Sequence, residues 1–157
     1  MQTLVDRPTL DDMELGLGKR VRLHRMLHEH GPGGSTLLVL PVDQGLEHGP
    51  RDFFENEDSL DPAYELDLAA GAGYSAIALQ IGLASKYMKP YAGTVPLILK
   101  VNGKTDIPVA HAPRSPLNAR VEDAVRLGAD AIGYTLYVGS KQQENDFEIF
   151  SQVRREA

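Results

Sequence analysis

Thr36-Leu-Leu-Val-Leu-Pro-Val-Asp-Gln-Gly-Leu-Glu-His-Gly-Pro50 decides how the rest of the chain is read. Six of its first seven residues are apolar, and Asp43, Gln44, Gly45, Glu47 and His48 follow at once. An unbroken apolar run of this length, bounded by Gly and Pro, is the pattern of a parallel strand covered on both faces. Parallel α/β proteins place their ligands at the carboxyl ends of such strands. Asp43 falls at that end, and an acid closing a buried strand is costly without a purpose.

On the amino-terminal side, Gly31-Pro-Gly-Gly-Ser35 is a turn into this strand. Before it, a helix is expected through residues 21–28, with Val21, Leu23, Met26 and Leu27 on one face and Gly31 as its stop. A polar arm runs from Met1 to about Asp12, so residues 1–34 are expected as an arm and helix ahead of a main unit at 35–157. His24 and His28 have the four-residue spacing of a metal pair, but no third ligand is near and charged residues surround them; they read as a solvated face.

On the carboxyl-terminal side, Asp61-Pro62 marks a helix start, with Asp as cap and Pro in the first turn, running to Gly71 or Gly73. Strands are expected at Ser75–Leu79, Val95–Val101 and Ala131–Tyr137. Between them lie a short helix from Leu83 to Met88 ended by Pro90, a loop with Pro108, Pro113 and Pro116, and a helix from about Pro116 to Leu127 capped by Ser115. A last helix carries Phe147, Phe150 and Val153. Four β-then-α units require a parallel sheet with right-handed crossovers. A (β/α)8 TIM barrel takes eight units and about 250 residues, so four units make half a barrel. Two open sheet edges and an apolar inner face then predict self-association, aggregation or partial disorder.

The 157 residues fit one domain of ordinary size, and the net charge of -6 argues against binding nucleic acid or an anionic membrane. The basic residues cluster at Lys19, Arg20, Arg22 and Arg25. The absence of cysteine excludes a disulfide scaffold, a thiolate metal site and a cysteine nucleophile. No apolar run approaches the roughly 20 residues of a membrane span, and no signal-peptide h-region follows Met1. A cytoplasmic protein is expected.

Strand parity selects the side chains that would face a barrel interior. With Asp43 inward, Leu37, Val39 and Pro41 share its face, and Leu38, Leu40 and Val42 meet the helices. In the third strand Leu97, Leu99 and Val101 go outward, turning Ile98, Lys100 and Asn102 inward. In the fourth, Ile132, Tyr134 and Leu136 go outward and Gly133, Thr135 and Tyr137 inward. The pocket expected from parity is Asp43, Glu47, His48, Lys100, Asn102 and Tyr137. A carboxylate, an amine and a phenol at one strand-end face suit carbonyl chemistry: the amine forms an iminium with a ketone, the carboxylate orients hydroxyls or stabilises the cation, and the phenol moves a proton. The other reading of Lys100 is an ion-pair partner of Asp43 or Glu47.

Three further patterns weigh less. Gly71-Ala-Gly-Tyr-Ser-Ala76 resembles a dinucleotide glycine motif but precedes a strand instead of following one. Asn102-Gly-Lys-Thr105 ends like a phosphate loop, with Ile98 where the upstream Gly is required. Asp43, Glu47 and His48 are possible ligands of a divalent metal, though adjacent Glu47 and His48 demand a special loop geometry; no metal and no cofactor is expected.

Three separated segments then carry a resemblance: Leu40-Pro-Val-Asp-Gln-Gly-Leu-Glu-His-Gly-Pro50, Val95-Pro-Leu-Ile-Leu-Lys-Val-Asn-Gly-Lys-Thr105 and Gly128-Ala-Asp-Ala-Ile-Gly-Tyr-Thr-Leu-Tyr-Val-Gly-Ser140. Together, in order and at compatible spacing from about Ser35 to the end, they resemble the archaeal-type class I fructose-1,6-bisphosphate aldolases, also found in bacteria. The resemblance implies a TIM barrel that reversibly cleaves fructose 1,6-bisphosphate to dihydroxyacetone phosphate and glyceraldehyde 3-phosphate through a Schiff base, without metal. It implies an active-site role for Asp43, a substrate pocket lined by Gln44, Gly45, Leu46, Glu47 and His48, and Asp52 at the same mouth; strand parity adds Lys100 to that pocket. The family's Schiff-base lysine, its proton-donating tyrosine and its phosphate-binding loops lie on the fifth to eighth strands, beyond Ala157. Neither Lys100 nor Tyr137 matches those positions. The chain is therefore expected to be the amino-terminal half of a phosphorylated-sugar aldolase, homo-oligomeric in full-length form and inactive alone. The alternatives are a related ketose-phosphate aldol synthase or thiolase of the same superfamily, or a noncatalytic fragment.

Overall fold

The computed structural model describes residues 9–44, 46–47, 55–105, 107 and 113–157. Gly45, His48 and Asp52 of the expected site, most of the amino-terminal arm and Pro108 lie outside the described residues.

The four apolar runs form one parallel sheet in the order β1 (Val39–Val42), β2 (Ala76–Gln80), β3 (Leu97–Lys100) and β4 (Ala131–Gly133). Helices α2 (Ala63–Gly71), α3 (Ile81–Tyr87) and α4 (Val121–Arg126) connect the strands, and α5 (Gln143–Glu156) follows β4. Ahead of β1, α1 (Leu17–His24) continues into a wider helical turn at Arg25–Glu29. The expected four β-then-α units are present.

Register sorts the side chains as parity requires. Leu40 pairs with Ile77, Ile77 with Leu97, and Leu99 with Ile132. This row meets the helices: Ile77, Leu79, Leu99 and Val101 are fully buried in one core with Leu66, Ala69, Ala84, Val121 and Ala124. Burying each of these large aliphatic side chains contributes about 2 kcal/mol. The opposite face carries Pro41–Ala78–Ile98 and Gln80–Lys100–Gly133 as paired rows. Pro41 is exposed there, and Val39, Ile98 and Ala131 are half-buried. One face of the sheet is sealed, and the other is not.

Several boundaries differ from expectation, each for a local reason. The helix expected at Pro116–Leu127 begins only at Val121, and Ser115 does not cap it. Residues 117–119 are instead spent on β3: Leu117 bridges Asn102, and the Asn118 and Ala119 amides both donate to Val101 O. Asp123 caps α4 by accepting the Arg120 amide at 2.9 Å. α3 starts at Ile81 directly after β2, and Pro90 sits inside a 3-10 turn (Lys89–Tyr91) that follows it. There the Tyr91 phenol donates to Asp67 at 2.7 Å, and this hydrogen bond raises its pKa above the ordinary tyrosine value. Asp61 accepts the Ala63 amide at 2.9 Å, as an Asp before Pro at a helix start should. The helical face before Gly31 is narrower than expected: Met26 and Leu27 are buried, while Val21 is exposed.

The amino-terminal helix is fastened at two points. Gly31, at φ 71°, lies so close to Ser75 that a Cβ would sit 2.0 Å from Ser75 Oγ. Only glycine meets both constraints. Ser75 in turn accepts the Leu38 amide through Oγ at 3.0 Å and donates its own amide to Leu38 O at 2.7 Å, which joins the start of β1 to β2. The second point is Arg25, whose guanidinium donates to Asp130 at 2.7 Å; the Asp130 side chain is only 4% exposed. Replacing Arg25 with Met should cost about 3 kcal/mol in urea denaturation, because it strands a buried carboxylate; a change within about 0.5 kcal/mol would show that the contact is incidental.

Candidate functional site at the strand ends

β1 ends at Val42, and the next residue turns its carboxylate over the carboxyl end of the sheet. The Leu46 and Glu47 amides both donate to Asp43 O, at 3.1 and 3.2 Å, which folds the Asp43–Glu47 segment into a tight turn. That turn brings Glu47 back over the sheet, where it is buried. Lys100, two strands away at the end of β3, sends its ammonium into the space between: it donates to Asp43 Oδ1 and lies 3.9 Å from Glu47 Oε1. The three side chains are 11–13% exposed. Lys100 is thus the ion-pair partner of both acids.

The charge balance matters chemically. One ammonium and two carboxylates leave the cluster one negative charge in excess, in partly buried surroundings where charges are felt strongly. Glu47 Oε1 and Gln44 Oε1 are buried and accept no hydrogen bond among the described residues, while Gln44 Nε2 is committed to Ser59 O at 2.5 Å. Unsatisfied acceptors beside excess negative charge suit a ligand that brings hydroxyl donors or a cationic centre.

Beneath the cluster lies a polar network that the parity argument only partly finds. Asn102 is fully buried; its Nδ2 donates to Thr135 O at 2.9 Å and Ser115 O at 3.2 Å, and its Oδ1 accepts the Thr135 amide at 2.8 Å. The side chain replaces the ladder hydrogen bonds that β4 no longer makes after Gly133. Asn102 is therefore a structural clamp. Gln80 donates to Asn102 O at 3.2 Å and accepts from Asn118 at 2.7 Å. Gln80 is missing from the expected pocket, yet it ends β2 at the same parity as Lys100, its register partner. Tyr137 places its ring 5.8 Å from Lys104 Nζ. Tyr134, on the helix side, has its pKa raised by burial and then by Asp146, with Arg114 opposing. Its phenol stays protonated at neutral pH.

His24 and His28 are exposed, with ring centroids 4.9 Å apart, and His24 faces Glu29 at 3.3 Å. A cleft of about 660 Å³ opens between α1, α4, β4 and α5, floored by Leu23, Met26, Ile132, Tyr134 and Phe150. It belongs to the helix side of the sheet and contains none of the strand-end residues.

A half-ring of βα units with its charged side chains gathered at the strand ends is one half of an aldolase-type TIM barrel. Residues 37–157 match the model of DeoC/LacD family aldolases, and the chain belongs to that family. The class 1 fructose-bisphosphate aldolase of Thermoproteus tenax is 48% identical over 120 residues, covering 76% of this chain and 44% of that protein. The fructose-bisphosphate aldolase/6-deoxy-5-ketofructose 1-phosphate synthase of Methanocaldococcus jannaschii is 32% identical over 131 residues, or 78% of this chain and 42% of that one. Among solved structures, an archaeal fructose-1,6-bisphosphate aldolase with its catalytic lysine covalently bound to the carbinolamine intermediate of the substrate is similar at a TM-score of 0.75. Its identity is 44%, over 87% of this chain and 51% of that chain. The chain spans about half the length of the curated relatives it matches.

Removing the shared cation tests the cluster. Lys100→Met should destabilise the chain by about 3 kcal/mol or more in urea titration, and adding Asp43→Asn should recover part of that loss, since the penalty is uncompensated buried charge. If the two changes simply add, the three groups are not one cluster.

Proposed function

We propose that this chain supplies the first four βα units of a class I, Schiff-base-forming fructose-bisphosphate aldolase that cleaves fructose 1,6-bisphosphate to dihydroxyacetone phosphate and glyceraldehyde 3-phosphate. The observation that carries the reading is the 44% identity, over 87% of the chain, to an archaeal aldolase whose lysine is covalently bound to its substrate. The local chemistry is compatible. An iminium formed on a lysine is cationic, and Asp43 with Glu47 offers the one excess negative charge that such a centre seeks. The acceptors on Gln44 and Glu47 that are unpartnered among the described residues match the hydroxyls of a sugar chain, and a net negative cluster repels phosphate, which favours the two phosphate groups away from it.

In this reading Asp43 is the catalytic carboxylate; Gln44, Gly45, Leu46, Glu47, His48, Asp52 and Lys100 line the pocket; and the nucleophilic lysine comes from the barrel's other half. Lys100, committed to an ion pair with Asp43 and Glu47, is a strut and not the nucleophile. No metal or cofactor is needed, because the iminium is itself the electron sink. The completed barrel works on a phosphorylated sugar in the cytoplasm as a homo-oligomer, with residues 1–34 as an arm and helix outside the barrel unit. A related ketose-phosphate aldol synthase is the second reading, favoured by the dual name of the Methanocaldococcus jannaschii relative.

The test is to complete the barrel. Residues 1–157 fused to the second half of the Thermoproteus tenax enzyme should cleave fructose 1,6-bisphosphate, and Asp43→Ala in that fusion should lower kcat/KM by about 100-fold or more. A folded fusion that leaves fructose 1,6-bisphosphate intact but condenses another ketose phosphate supports the second reading; one inert to both leaves the fragment noncatalytic.

A further inference from the structure

Gly103 follows the Asn102 clamp at the end of β3, and it is buried. Its φ lies outside the positive region, so its backbone does not demand glycine. Its space does. A Cβ there would lie 2.4 Å from Leu46 Cδ2 and 2.7 Å from Gln80 Nε2. Leu46 belongs to the turn between Asp43 and Glu47, so the turn carrying both acids rests on the bare backbone of Gly103.

The seat itself is fixed. The Gly103 amide donates to Pro116 O at 3.2 Å, Asn102 is clamped to Thr135 and Ser115, and Gln80 is held between Asn102 O and Asn118. Gln80 has no freedom to retreat from an added methyl without breaking that network. Leu46 is half-buried and can swing away. If the backbone that carries it lifts instead, Asp43 and Glu47 move together, because the Leu46 and Glu47 amides both donate to Asp43 O.

We propose that Gly103 is a positioning residue: by leaving room for Leu46 it sets the height of the Asp43–Glu47 turn above Lys100, and so decides how the two carboxylates share that ammonium. Its catalytic meaning rests on the aldolase reading, in which Asp43 acts; the geometric statement does not. Nothing is asked of the Gly103 backbone beyond closeness, so Gly103→Ala tests space alone.

The experiment labels lysines of the intact chain with an amine-reactive anhydride and reads Lys100 by peptide mass spectrometry against Lys86 and Lys89, both exposed. In Gly103→Ala and in Leu46→Ala, Lys100 labelling relative to those two should rise about five-fold, and the double variant should rise no further, because both changes break one contact. Circular dichroism and urea midpoints separate this from unfolding, which would also raise Lys100 labelling against the exposed lysines. Should Gly103→Ala fail to fold, Leu46→Ala alone decides. A folded Leu46→Ala variant with Lys100 labelling at the wild-type ratio overturns the proposal, as does full additivity in the double variant. Failure of the aldolase reading appears only in the completed-barrel assay and leaves the labelling ratio unchanged.

Discussion

A single ammonium, that of Lys100, holds the carboxyl ends of β1 and β3 together across β2. Two strand spacings separate those ends, about 9.5 Å in a flat sheet, and an extended lysine reaching toward an aspartate spans that gap. Gln80 is the residue it passes over, and Gln80 is tied down by Asn102 and Asn118. The charged pair and the polar network below it therefore depend on one another. Both need the helix-side core of Ile77, Leu79, Leu99 and Val101, which keeps the three strands in register.

The same arrangement explains what Lys100 does not do. A lysine at a barrel mouth invites the reading of a nucleophile, and the residue type alone does not decide against it. Its geometry does, since the ammonium donates to Asp43 Oδ1 and lies 3.9 Å from Glu47 Oε1, committed to an ion pair with both acids. A lysine used as a strut leaves an excess of negative charge at the strand ends.

Much of this was legible in the residues. The apolar run into Asp43 marked β1 and its carboxyl end, and period-two alternation put Leu99 outward and Lys100 inward, as the register has them. The helix boundaries were less legible where backbone groups found non-local partners: residues 117–119 read as helix, but Val101 O and Asn102 claim them for the sheet. The seat under Leu46 could not be read at all, because glycine carries no side chain to count, and the reason for Gly103 is the absence of an atom where Leu46 and Gln80 converge. Gln80 was within reach of the parity argument, being polar at the end of β2.

The central claim is that Lys100 serves as an ion-pair strut and not as a Schiff-base nucleophile. The most direct measurement is borohydride trapping of the 157-residue chain with dihydroxyacetone phosphate, read by intact mass and peptide mapping. No adduct on Lys100 is expected. A stoichiometric adduct on Lys100 would contradict that claim and make the third-strand lysine the nucleophile of a self-sufficient enzyme.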